Sequence, residues 1–273
     1  MKLQRVVSLF FSPTGGTAKV AETLSGVLAE QMGLPLEQHS FSRPAEREKV
    51  YNFTEKDLVL VASPTYAGKL PNKILPDFRE KLCGNGAVAV PVVTFGNRSY
   101  DNSLAELCAV LEEKGFRIAA AGAFVCRHAF TDELAYGRPG WSDGFEMKTF
   151  AKRVADKLKK AGDALAPIQV PGDAAAPYYV PLGTDGVPAK FLKAKPRTKL
   201  SRCNGCGACA RFCPMGAIDP KDPAKVPGTC IKCHACVRKC TKQAKYFDDP
   251  AFLSHVAMLE SNYREAKDNE TFL

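Results

Sequence analysis

Along residues 1–162, short apolar runs alternate with stretches in which apolar residues recur every three or four positions. The runs occupy residues 5–11, 57–62, 87–95 and 117–125, and their length and composition predict buried strands. The periodic stretches predict helices with these apolar positions: Val20, Leu24, Val27 and Leu28; Leu104, Leu107 and Leu111; Phe150, Val154 and Leu158. Strands that alternate with helices in this way predict a doubly wound α/β fold with a parallel sheet.

The pattern changes after residue 162. Residues 163–196 contain several prolines and predict an extended connector: Pro167, Pro171, Pro177, Pro181, Pro188 and Pro196. Residues 197–247 carry most of the cysteines, and residues 248–273 predict one amphipathic helix with Phe252, Val256, Leu259 and Tyr263 on its apolar face. Two folded domains are therefore expected, which suits a length of 273 residues and a hydrophobic content of 45%.

Eight of the eleven cysteines repeat one spacing, Cys-x2-Cys-x2-Cys-x3-Cys, in which closely spaced thiolates can wrap a cubane cluster. In bacterial repeats of this kind, the fourth cysteine of each run serves the other run's cluster. The pattern predicts two [4Fe–4S] clusters. Cluster 1 is assigned to Cys203, Cys206, Cys209 and Cys240, and cluster 2 to Cys230, Cys233, Cys236 and Cys213.

Spacing alone leaves two other uses of these cysteines open. CxxC pairs also form structural zinc sites, but zinc seldom requires a third and fourth cysteine at this spacing in two copies. Disulfides are less compatible with cysteines crowded two residues apart in a chain whose first residues show no export signal. Cys83, Cys108 and Cys126 lie outside the repeat and are expected to be small buried apolar groups.

The formal net charge of +9 is concentrated around the repeated cysteines. Residues 197–247 contain eleven Lys or Arg and two Asp, an excess of nine, so the remainder of the chain is close to neutral. Two oxidised clusters with their thiolates offset roughly four of these charges. The residual basic surface predicts an acidic redox partner protein or an anionic substrate, and solvated lysines without a partner are the alternative. Nucleic acid is not expected, because no ladder of aromatic residues is interleaved with the basic ones.

A glycine-rich loop follows the first apolar run and precedes the first predicted helix. Ser12, Thr14 and Thr17 supply hydroxyl donors, while Gly15 and Gly16 let the backbone close on an anion at the helix start. The loop lacks the lysine of a Walker motif and the spacing of a dinucleotide fingerprint. A terminal monophosphate such as that of FMN therefore suits it better.

Two further loops follow buried strands and should reach the same edge of the sheet, where ligands of such folds bind. One contains Pro64, Thr65, Tyr66, Ala67 and Gly68, and the other contains Gly96, Asn97 and Tyr100. A planar flavin ring can stack on the two tyrosines while backbone groups meet its polar edge. The alternative for each tyrosine is a half-buried anchor of its own loop.

With these three loops, residues 1–162 resemble flavodoxin and its flavin-binding relatives. The resemblance implies a five-stranded sheet, a phosphate bound by the first loop, and a flavin ring held between Tyr66 and Tyr100. Residues 197–247 resemble the bacterial two-cluster ferredoxins, with Thr241 where the second run commonly has proline. The whole chain is thus similar to the flavodoxin–ferredoxin fusion proteins.

These cofactors imply electron transfer, because each cluster passes one electron whereas a flavin handles one or two. Three functions are considered: an FMN- and cluster-dependent oxidoreductase that reduces a small acceptor at the flavin, a pure electron carrier between protein partners, and a cluster-based redox sensor without catalysis. For the first function His128 is the candidate proton donor, and a hydrogen-bonded structural histidine is the alternative. Arg127 and Arg138 are candidates to hold an anionic group.

The first apolar run is too short for the core of a signal peptide. No stretch reaches the length of about eighteen apolar residues that a membrane helix requires. We therefore expect a cytoplasmic protein without a membrane span.

Overall fold

The computed structural model describes residues 2–161 and 164–273, and these residues form eleven strands and seven α-helices. The strands are β1 (Arg5–Phe10), β2 (Leu36–Ser40), β3 (Tyr51–Asn52), β4 (Asp57–Pro64), β5 (Leu82–Cys83), β6 (Val88–Phe95), β7 (Arg117–Ile118), β8 (Ala121–Val125), β9 (Arg197–Thr198), β10 (Lys245–Tyr246) and β11 (Glu270–Phe272). The helices are α1 (Gly16–Met32), α2 (Leu75–Lys81), α3 (Ser103–Glu113), α4 (Trp141–Ala161), α5 (Ala208–Arg211), α6 (Ala235–Arg238) and α7 (Pro250–Asn262). A short 3₁₀ helix spans Pro44–Arg47.

The main sheet confirms the predicted doubly wound α/β fold. Its central strands lie in the order β2-β1-β4-β6-β8, and every neighbouring pair among them is parallel. Counted along the chain, this is the strand order of flavodoxin-like sheets, in which ligands bind beyond the carboxyl ends of the strands. The loops that follow β1, β4 and β6 therefore meet at one edge.

Helices cover both faces of this sheet, and the predicted apolar positions supply its core. On one face α1 and α4 bury Leu24 and Val154 against the strands. On the other face α2 and α3 bury Phe78 and Leu107. Full burial of one such side chain contributes roughly 1.5–3 kcal/mol. The two apolar layers therefore hold the loops of the carboxyl edge on a rigid base.

The predicted run at residues 117–125 is split into two strands. β7 pairs with Val88 and Ala89 of β6, and β8 pairs with β6 from Val92 onward. Pro91 lies opposite the gap between β7 and β8. A proline lacks the N–H that a strand ladder uses, so the gap accommodates it inside a central strand.

Residues 164–196 follow the first domain as an extended connector, with neither a helix nor a strand among them. The expected domain boundary between residues 162 and 163 lies outside the described residues. Lys69 holds the connector in place, since its Nζ donates to the carbonyls of Ala174 and Ala176 at 2.7 Å each. The same ammonium group is buried and lies 3.1 Å from a carboxylate oxygen of Glu106. A buried charge needs such partners, and the connector carbonyls are part of that set.

The single helix predicted for residues 248–273 accounts for only part of that segment. The helix α7 ends at Asn262, and the chain then returns to the first domain. Asp249 caps α7 by accepting a hydrogen bond from the N–H of Phe252 at 2.9 Å. The chain beyond α7 reaches the sheet, where β11 pairs antiparallel with β8. The Asn269 Oδ1 atom also accepts from the N–H of Val125 at 2.9 Å. The sheet consequently has an antiparallel edge strand that the helical periodicity did not indicate.

Arg238 is the main anchor between the cysteine-rich domain and the first domain. Its Nε donates to the carbonyl of Ala129, and its Nη2 donates to the carbonyls of His128 and Thr131, each at 3.0 Å. Its Nη1 pairs with the carboxylate of Asp132. The planar guanidinium presents five N–H donors in a fixed fork, which lysine could not reproduce. The loop at residues 128–132 is therefore wrapped around one side chain from the other domain.

Arg47 makes a second anchor between the first domain and the cysteine-rich domain. Its side chain is 7% exposed, and its Nη2 donates to the carbonyl of Pro214 at 2.6 Å. Its Nε lies 2.6 Å from Asp77 Oδ2, so the buried charge is paired. Pro214 follows the fourth cysteine of the first run. The two arginines therefore hold both halves of the cysteine repeat.

We expect Arg238→Met to loosen the loop at residues 128–132. The substitution removes four charge-assisted contacts, for which we expect a loss of about 3 kcal/mol of local stability. Hydrogen exchange measured by mass spectrometry should then show faster exchange of this loop, by about 100-fold. Arg202→Met removes an equal charge from an exposed position and is the matched control. Unchanged exchange at residues 128–132 in Arg238→Met would contradict the assigned anchor.

Candidate cofactor and electron-transfer site

The glycine-rich loop predicted to hold a phosphate lies between β1 and α1 at the carboxyl edge of the sheet. Gly15 precedes α1 with φ of +101°, a conformation that glycine adopts without the steric cost of other residues. Gly16 packs closely on Cys126, because a Cβ atom at Gly16 would lie 3.3 Å from the Cys126 Sγ. Backbone N–H groups at the start of a helix favour anions. The loop therefore has the shape and the donors that a phosphate requires.

A cavity of about 930 Å³ opens above this loop. Its volume lies near the upper end of the roughly 300–1,000 Å³ that is typical of ligand pockets. One wall consists of the three predicted loops, and the other consists of the connector and residues 229–233 of the cysteine-rich domain. The predicted flavin-site residues that line the cavity are Thr14, Gly15, Gly16, Thr17, Pro64, Thr65, Tyr66, Ala67, Gly68 and Gly96.

Tyr100 does not line the cavity, contrary to its predicted role as a stacking partner. Its side chain is 6% exposed and packs in the core, with its ring centroid 5.5 Å from that of Phe95. Its hydroxyl donates to a carboxylate oxygen of Glu270 at 2.7 Å. The carboxy-terminal strand thus draws Tyr100 inward, and the alternative role of a loop anchor is the one that the structure supports.

Ser12 and Asn97 also lie outside the cavity wall. The Ser12 Oγ accepts from the N–H of Ala18 at 2.9 Å and so serves the first turn of α1. The Asn97 side-chain amide donates to the carbonyls of Tyr263 and Glu265 at 2.6 and 2.9 Å. Asn97 therefore secures the segment after α7. Both residues hold loops in place behind the wall that the other predicted residues form.

Tyr66 is held at the cavity by a tight turn. Its N–H donates to the carbonyl of Lys69 at 2.8 Å, and the N–H of Lys69 donates back at 3.2 Å. The two central residues, Ala67 and Gly68, have φ values of +48° and +78°. The Ala67 carbonyl accepts from the N–H of Tyr179 in the connector at 2.8 Å. The connector therefore stabilises the turn that presents Tyr66.

Sequence reasoning missed the part of the cavity wall that the connector supplies. Tyr178, Tyr179 and Phe191 all line the cavity. The Tyr178 hydroxyl donates to the carbonyl of Leu70 at 2.8 Å, and the Arg98 guanidinium lies 4.1 Å from the centroid of the Tyr179 ring. Adjacent tyrosines in a proline-rich connector were the available signal, because a solvated linker has little use for large aromatic side chains. These rings offer the aromatic surface that Tyr100 does not.

The donor set of the cavity fits a flavin mononucleotide. The glycine-rich loop with the Thr14 hydroxyl lines the cavity, and aromatic rings line it as well. Thr17 also lines it, and its buried hydroxyl lies 2.7 Å from that of Thr94. A Cβ atom on Gly15 would require an unfavourable left-handed conformation, so the loop depends on a residue without a side chain. Small polar donors beside an aromatic slot are what a phosphate joined to a planar ring system needs.

The eight repeated cysteines gather in two groups that match the sequence assignment. Cys203, Cys206, Cys209 and Cys240 surround one small void. Cys213, Cys230, Cys233 and Cys236 surround another. The fourth cysteine of each run accepts an equivalent hydrogen bond, from Ala217 N–H to Cys213 Sγ at 3.3 Å and from Ala244 N–H to Cys240 Sγ at 3.2 Å. The repeat is therefore symmetric in its backbone as well as in its sequence.

Two observations test whether these residues suit iron–sulfur clusters. Each void is bordered by four thiols, the ligand set of a cubane cluster, with backbone N–H groups directed at sulfur. His234 borders the second void, is 5% exposed, and its Nε2 has no hydrogen-bond partner among the described residues. A buried polar atom without a partner needs an explanation. A cluster sulfur at the second void would supply an acceptor, so the residues fit.

The second cysteine group borders the large cavity. Cys230 and Cys233 line it together with Tyr66. Burial raises the pKa of Tyr66 well above its usual value, and the nearby thiolates of Cys233 and Cys230 raise that pKa further. The exposed Cys206 belongs to the other group. The two groups therefore differ in setting, because the second faces the cavity and the first reaches solvent.

His128 lines the cavity as predicted, but its ring is not cationic at neutral pH. Burial lowers the pKa of His128 to about 4, and positive charge from His255, Arg238 and Arg98 contributes in the same direction. The Nδ1 atom accepts from the N–H of Phe130 at 3.1 Å. The neutral ring therefore carries its proton on Nε2. His128 can act as a hydrogen-bond donor rather than as an imidazolium acid.

The other side chains near this edge have structural partners. Arg127 pairs with Asp132, and Arg138 pairs with Asp143, so neither guanidinium is without a carboxylate. Burial raises the pKa of the Cys126 thiol to about 12, which keeps it neutral and inert at neutral pH. The expectation that Cys126 is a small buried group agrees with this setting.

Two parts of the chain are similar to known proteins. Residues 195–248 match the family described as 4Fe-4S dicluster domain. A flavodoxin from the domain Archaea is 15% identical, with a TM-score of 0.41 over 57% of this chain and 99% of that one. A flavodoxin from Streptococcus pneumoniae TIGR4 is 18% identical, with a TM-score of 0.39 over 56% of this chain and 97% of that one. No curated protein matches the chain.

A third similar structure is the rubredoxin oxygen:oxidoreductase of Desulfovibrio gigas, which is 19% identical. Its TM-score is 0.38, over 58% of this chain and 37% of that one. The assignment of the first domain as flavodoxin-like comes from its strand order and not from these scores.

The family match and the sheet order identify the two parts of the molecule. A dicluster domain holds two [4Fe–4S] clusters, whose chemistry is the transfer of single electrons. No helix within residues 2–161 and 164–273 has the length and apolar character needed to cross a membrane. The chain is an electron-transfer protein in which a flavodoxin-like domain is fused to a ferredoxin-type 4Fe-4S dicluster domain.

Proposed function

We propose that the protein binds FMN in the large cavity, exchanges electrons between FMN and the two clusters, and reduces a small acceptor at the flavin. One observation carries this proposal: Cys230 and Cys233 line the same cavity as the predicted phosphate loop and Tyr66. When bound, FMN accepts single electrons and passes them on singly or in pairs. Such a cofactor can pair single electrons when a one-electron donor lies beside it, and the shared wall would provide that neighbour.

The proposed cofactor ligands follow the sequence assignment, with three exceptions. Thr14, Gly15, Gly16 and Thr17 hold the phosphate, while Tyr66 and the turn behind it meet the ring. Ser12, Asn97 and Tyr100 support these loops from behind and make no contact with the cofactor. Cys203, Cys206, Cys209 and Cys240 hold cluster 1, and Cys213, Cys230, Cys233 and Cys236 hold cluster 2.

The setting of the two cysteine groups gives electrons a direction through the cluster domain. Cys206 is exposed, so a partner protein meets the molecule at cluster 1. Exposed basic side chains near this group, including Arg202 and Lys242, favour an acidic partner. Cys230 and Cys233 border the cavity, so cluster 2 held by them would supply single electrons to a flavin bound there. Reduction of an acceptor would take two such electrons and two protons.

The depth of the cavity favours an oxidoreductase over a pure electron carrier. A carrier needs only an exposed flavin edge, whereas this partly open cavity has a second wall made by the connector and the dicluster domain. His128 and Arg138 both line it, as an acceptor site beside the flavin requires. A sensor without catalysis would have no use for a phosphate loop. The predicted cytoplasmic location stays a prediction.

His128 is proposed to position or protonate the acceptor through the N–H at Nε2. The neutral ring suits this role, since a neutral donor can polarise a carbonyl group without carrying a charge into the cavity. The hydrogen bond from Phe130 N–H to Nδ1 fixes the tautomer that puts the proton on Nε2. Arg238 holds the His128 carbonyl, so docking of the dicluster domain also positions this histidine.

We expect Gly15→Ala to weaken FMN binding while leaving the clusters intact. Alanine disfavours a φ of +101°, so the free loop adopts another conformation. Phosphate binding must then restore the original conformation at a cost in free energy. The cost of roughly 1–2 kcal/mol corresponds to a loss of about tenfold in FMN affinity. Fluorescence titration of the flavin-free protein measures the affinity, and iron analysis should still give about eight iron atoms per chain.

Gly144→Ala is the matched control, because no atom lies within 4 Å of the added Cβ atom and the residue sits inside α4. Wild-type protein that binds no FMN would overturn the proposed function itself. Equal FMN affinity in Gly15→Ala and wild type would remove only the assigned role of the loop.

The pKa of His128 predicts a pH-dependent stability. Its folded value of about 4 lies below the unfolded value, so protonation favours the unfolded chain as pH falls below about 6.5. The free energy of unfolding is therefore lower by about 2 kcal/mol at pH 5 than above pH 6.5. In His128→Gln this position does not titrate, so the free energy of unfolding should decrease less over the same pH range. Unfolding midpoints of wild type and His128→Gln, measured above pH 6.5 and at pH 5, test this. An identical pH dependence of the two midpoints would contradict a neutral, buried His128.

A further inference from the structure

The two cysteine runs have the same backbone but differ at two positions. In the first run Gly205 and Gly207 flank the second cysteine, with φ of +70° and +68°. The equivalent residues in the second run are Lys232 and His234, with φ of +54° and +61°. Left-handed backbone suits glycine and costs free energy for other residues. The second run therefore carries two side chains in conformations for which the first run uses glycine.

Lys232 extends from this strained position into the wall of the large cavity. Its Nζ donates to the carbonyl of Leu192 at 2.9 Å, and its side chain is half-buried. Among the described residues, no carboxylate lies within ion-pairing distance of this ammonium group. Its one hydrogen-bond acceptor in the described part of the chain is that carbonyl, and Cys230, an assigned ligand of cluster 2, is its charged neighbour. A half-buried ammonium in the cavity wall that lacks a carboxylate partner points to an anionic ligand.

The charge of the whole cavity wall agrees with this reading. Its lining contains seven Lys or Arg side chains and neither Asp nor Glu among the described residues. Four of the seven are arginines that pair with carboxylates behind the wall, such as Arg98 with Asp101. Lys19 donates to the carbonyl of Pro139 beside the phosphate loop, and Lys73 is exposed at the rim. Among these side chains, Lys232 is thus the half-buried cation on the dicluster side that has no carboxylate partner within the described residues.

We propose that Lys232 binds the negative group of the acceptor, which is a small planar anion, either a carboxylate or a phosphate ester. This inference rests on the proposed function, since it names the class of compound reduced in that cavity. The Phe130 ring, which the flavin assignment does not use, accommodates the planar body, and Lys232 holds the charge. Because Lys232 lies between Cys230 and Cys233, the anion is bound beside cluster 2.

The test uses the full-length protein with FMN and both clusters. Benzoate and phenyl phosphate are the anionic probes, and benzamide is the neutral probe of the same shape as benzoate. Binding is followed through the change in flavin absorption at about neutral pH, where both anions are charged. Wild type should bind at least one anion more tightly than benzamide, and the better anion distinguishes a carboxylate site from a phosphate site.

Lys232→Gly is the informative variant, because glycine suits the left-handed backbone and reproduces the arrangement of Gly205. Its iron content, its FMN content and its unfolding midpoint should equal or exceed those of wild type. Its affinity for the preferred anion should fall by about tenfold, as for the loss of one partly buried ionic contact, while benzamide binding is unchanged. Lys232→Arg should retain the affinity, and the exposed Lys221→Gly is the matched control for lost charge.

The possible failures of this test are distinct. Wild type that retains no FMN overturns the proposed function. Wild type that retains FMN but binds neither anion more tightly than benzamide overturns only the role of Lys232. The same holds if Lys232→Gly keeps wild-type anion affinity, or if it loses anion and benzamide binding equally. A shift in cluster potential with unchanged anion binding would assign Lys232 to cluster 2 alone.

Discussion

The arrangement of the molecule depends on one arginine. The Arg238 guanidinium sits inside the loop at residues 128–132 and satisfies three carbonyls and one carboxylate of the other domain. Buried carbonyl groups that lack a hydrogen-bond donor raise the free energy of the folded state, and a guanidinium that lacks acceptors raises it further. The loop and the dicluster domain therefore need each other. Since Arg238 lies two residues after Cys236, the anchor also fixes the position of cluster 2.

This docking converts two separate electron-transfer units into one site. A flavodoxin-like sheet presents its loops at the carboxyl edge, where an isolated domain would leave a ligand open to solvent. Here the connector and the dicluster domain cover that edge, and the buried pair of Lys69 with Glu106 holds the connector against it. Partial cover of this kind reduces the access of water and so strengthens polar interactions inside the cavity. The fusion of the domains thus shapes a cavity that neither domain would form alone.

The sequence predicted the parts of the structure that follow from local chemistry. Eight thiols at fixed spacing allow few arrangements, and the two cysteine groups match the assignment that the spacing indicated. Most buried strands and three helices of the first domain followed from apolar periodicity, but β2 and α2 did not. The proposed phosphate loop was suggested by glycine and hydroxyl residues between a strand and a helix.

The remaining features depend on contacts between residues far apart in the chain. The Tyr100 side chain points into the core because its hydroxyl donates a hydrogen bond to Glu270, near the other end of the sequence. Tyr179 reached the cavity because its N–H meets the Ala67 carbonyl. Neither contact has a local pattern, and β11 is only three residues long. Periodicity and motif spacing therefore do not reveal side chains that reach a site from a distant part of the chain.

We expect a flavin to lie in the cavity whose wall includes the cysteines of cluster 2. An anaerobic crystal structure of the purified protein, with anomalous scattering recorded at the iron edge, tests this most directly. We expect iron at both cysteine groups. We also expect an isoalloxazine ring bounded by Tyr66 on the flavodoxin-like side and by the segment containing Cys230 and Cys233 on the other. Zinc at the cysteines, or a cavity that holds no flavin when the clusters are intact, would contradict it.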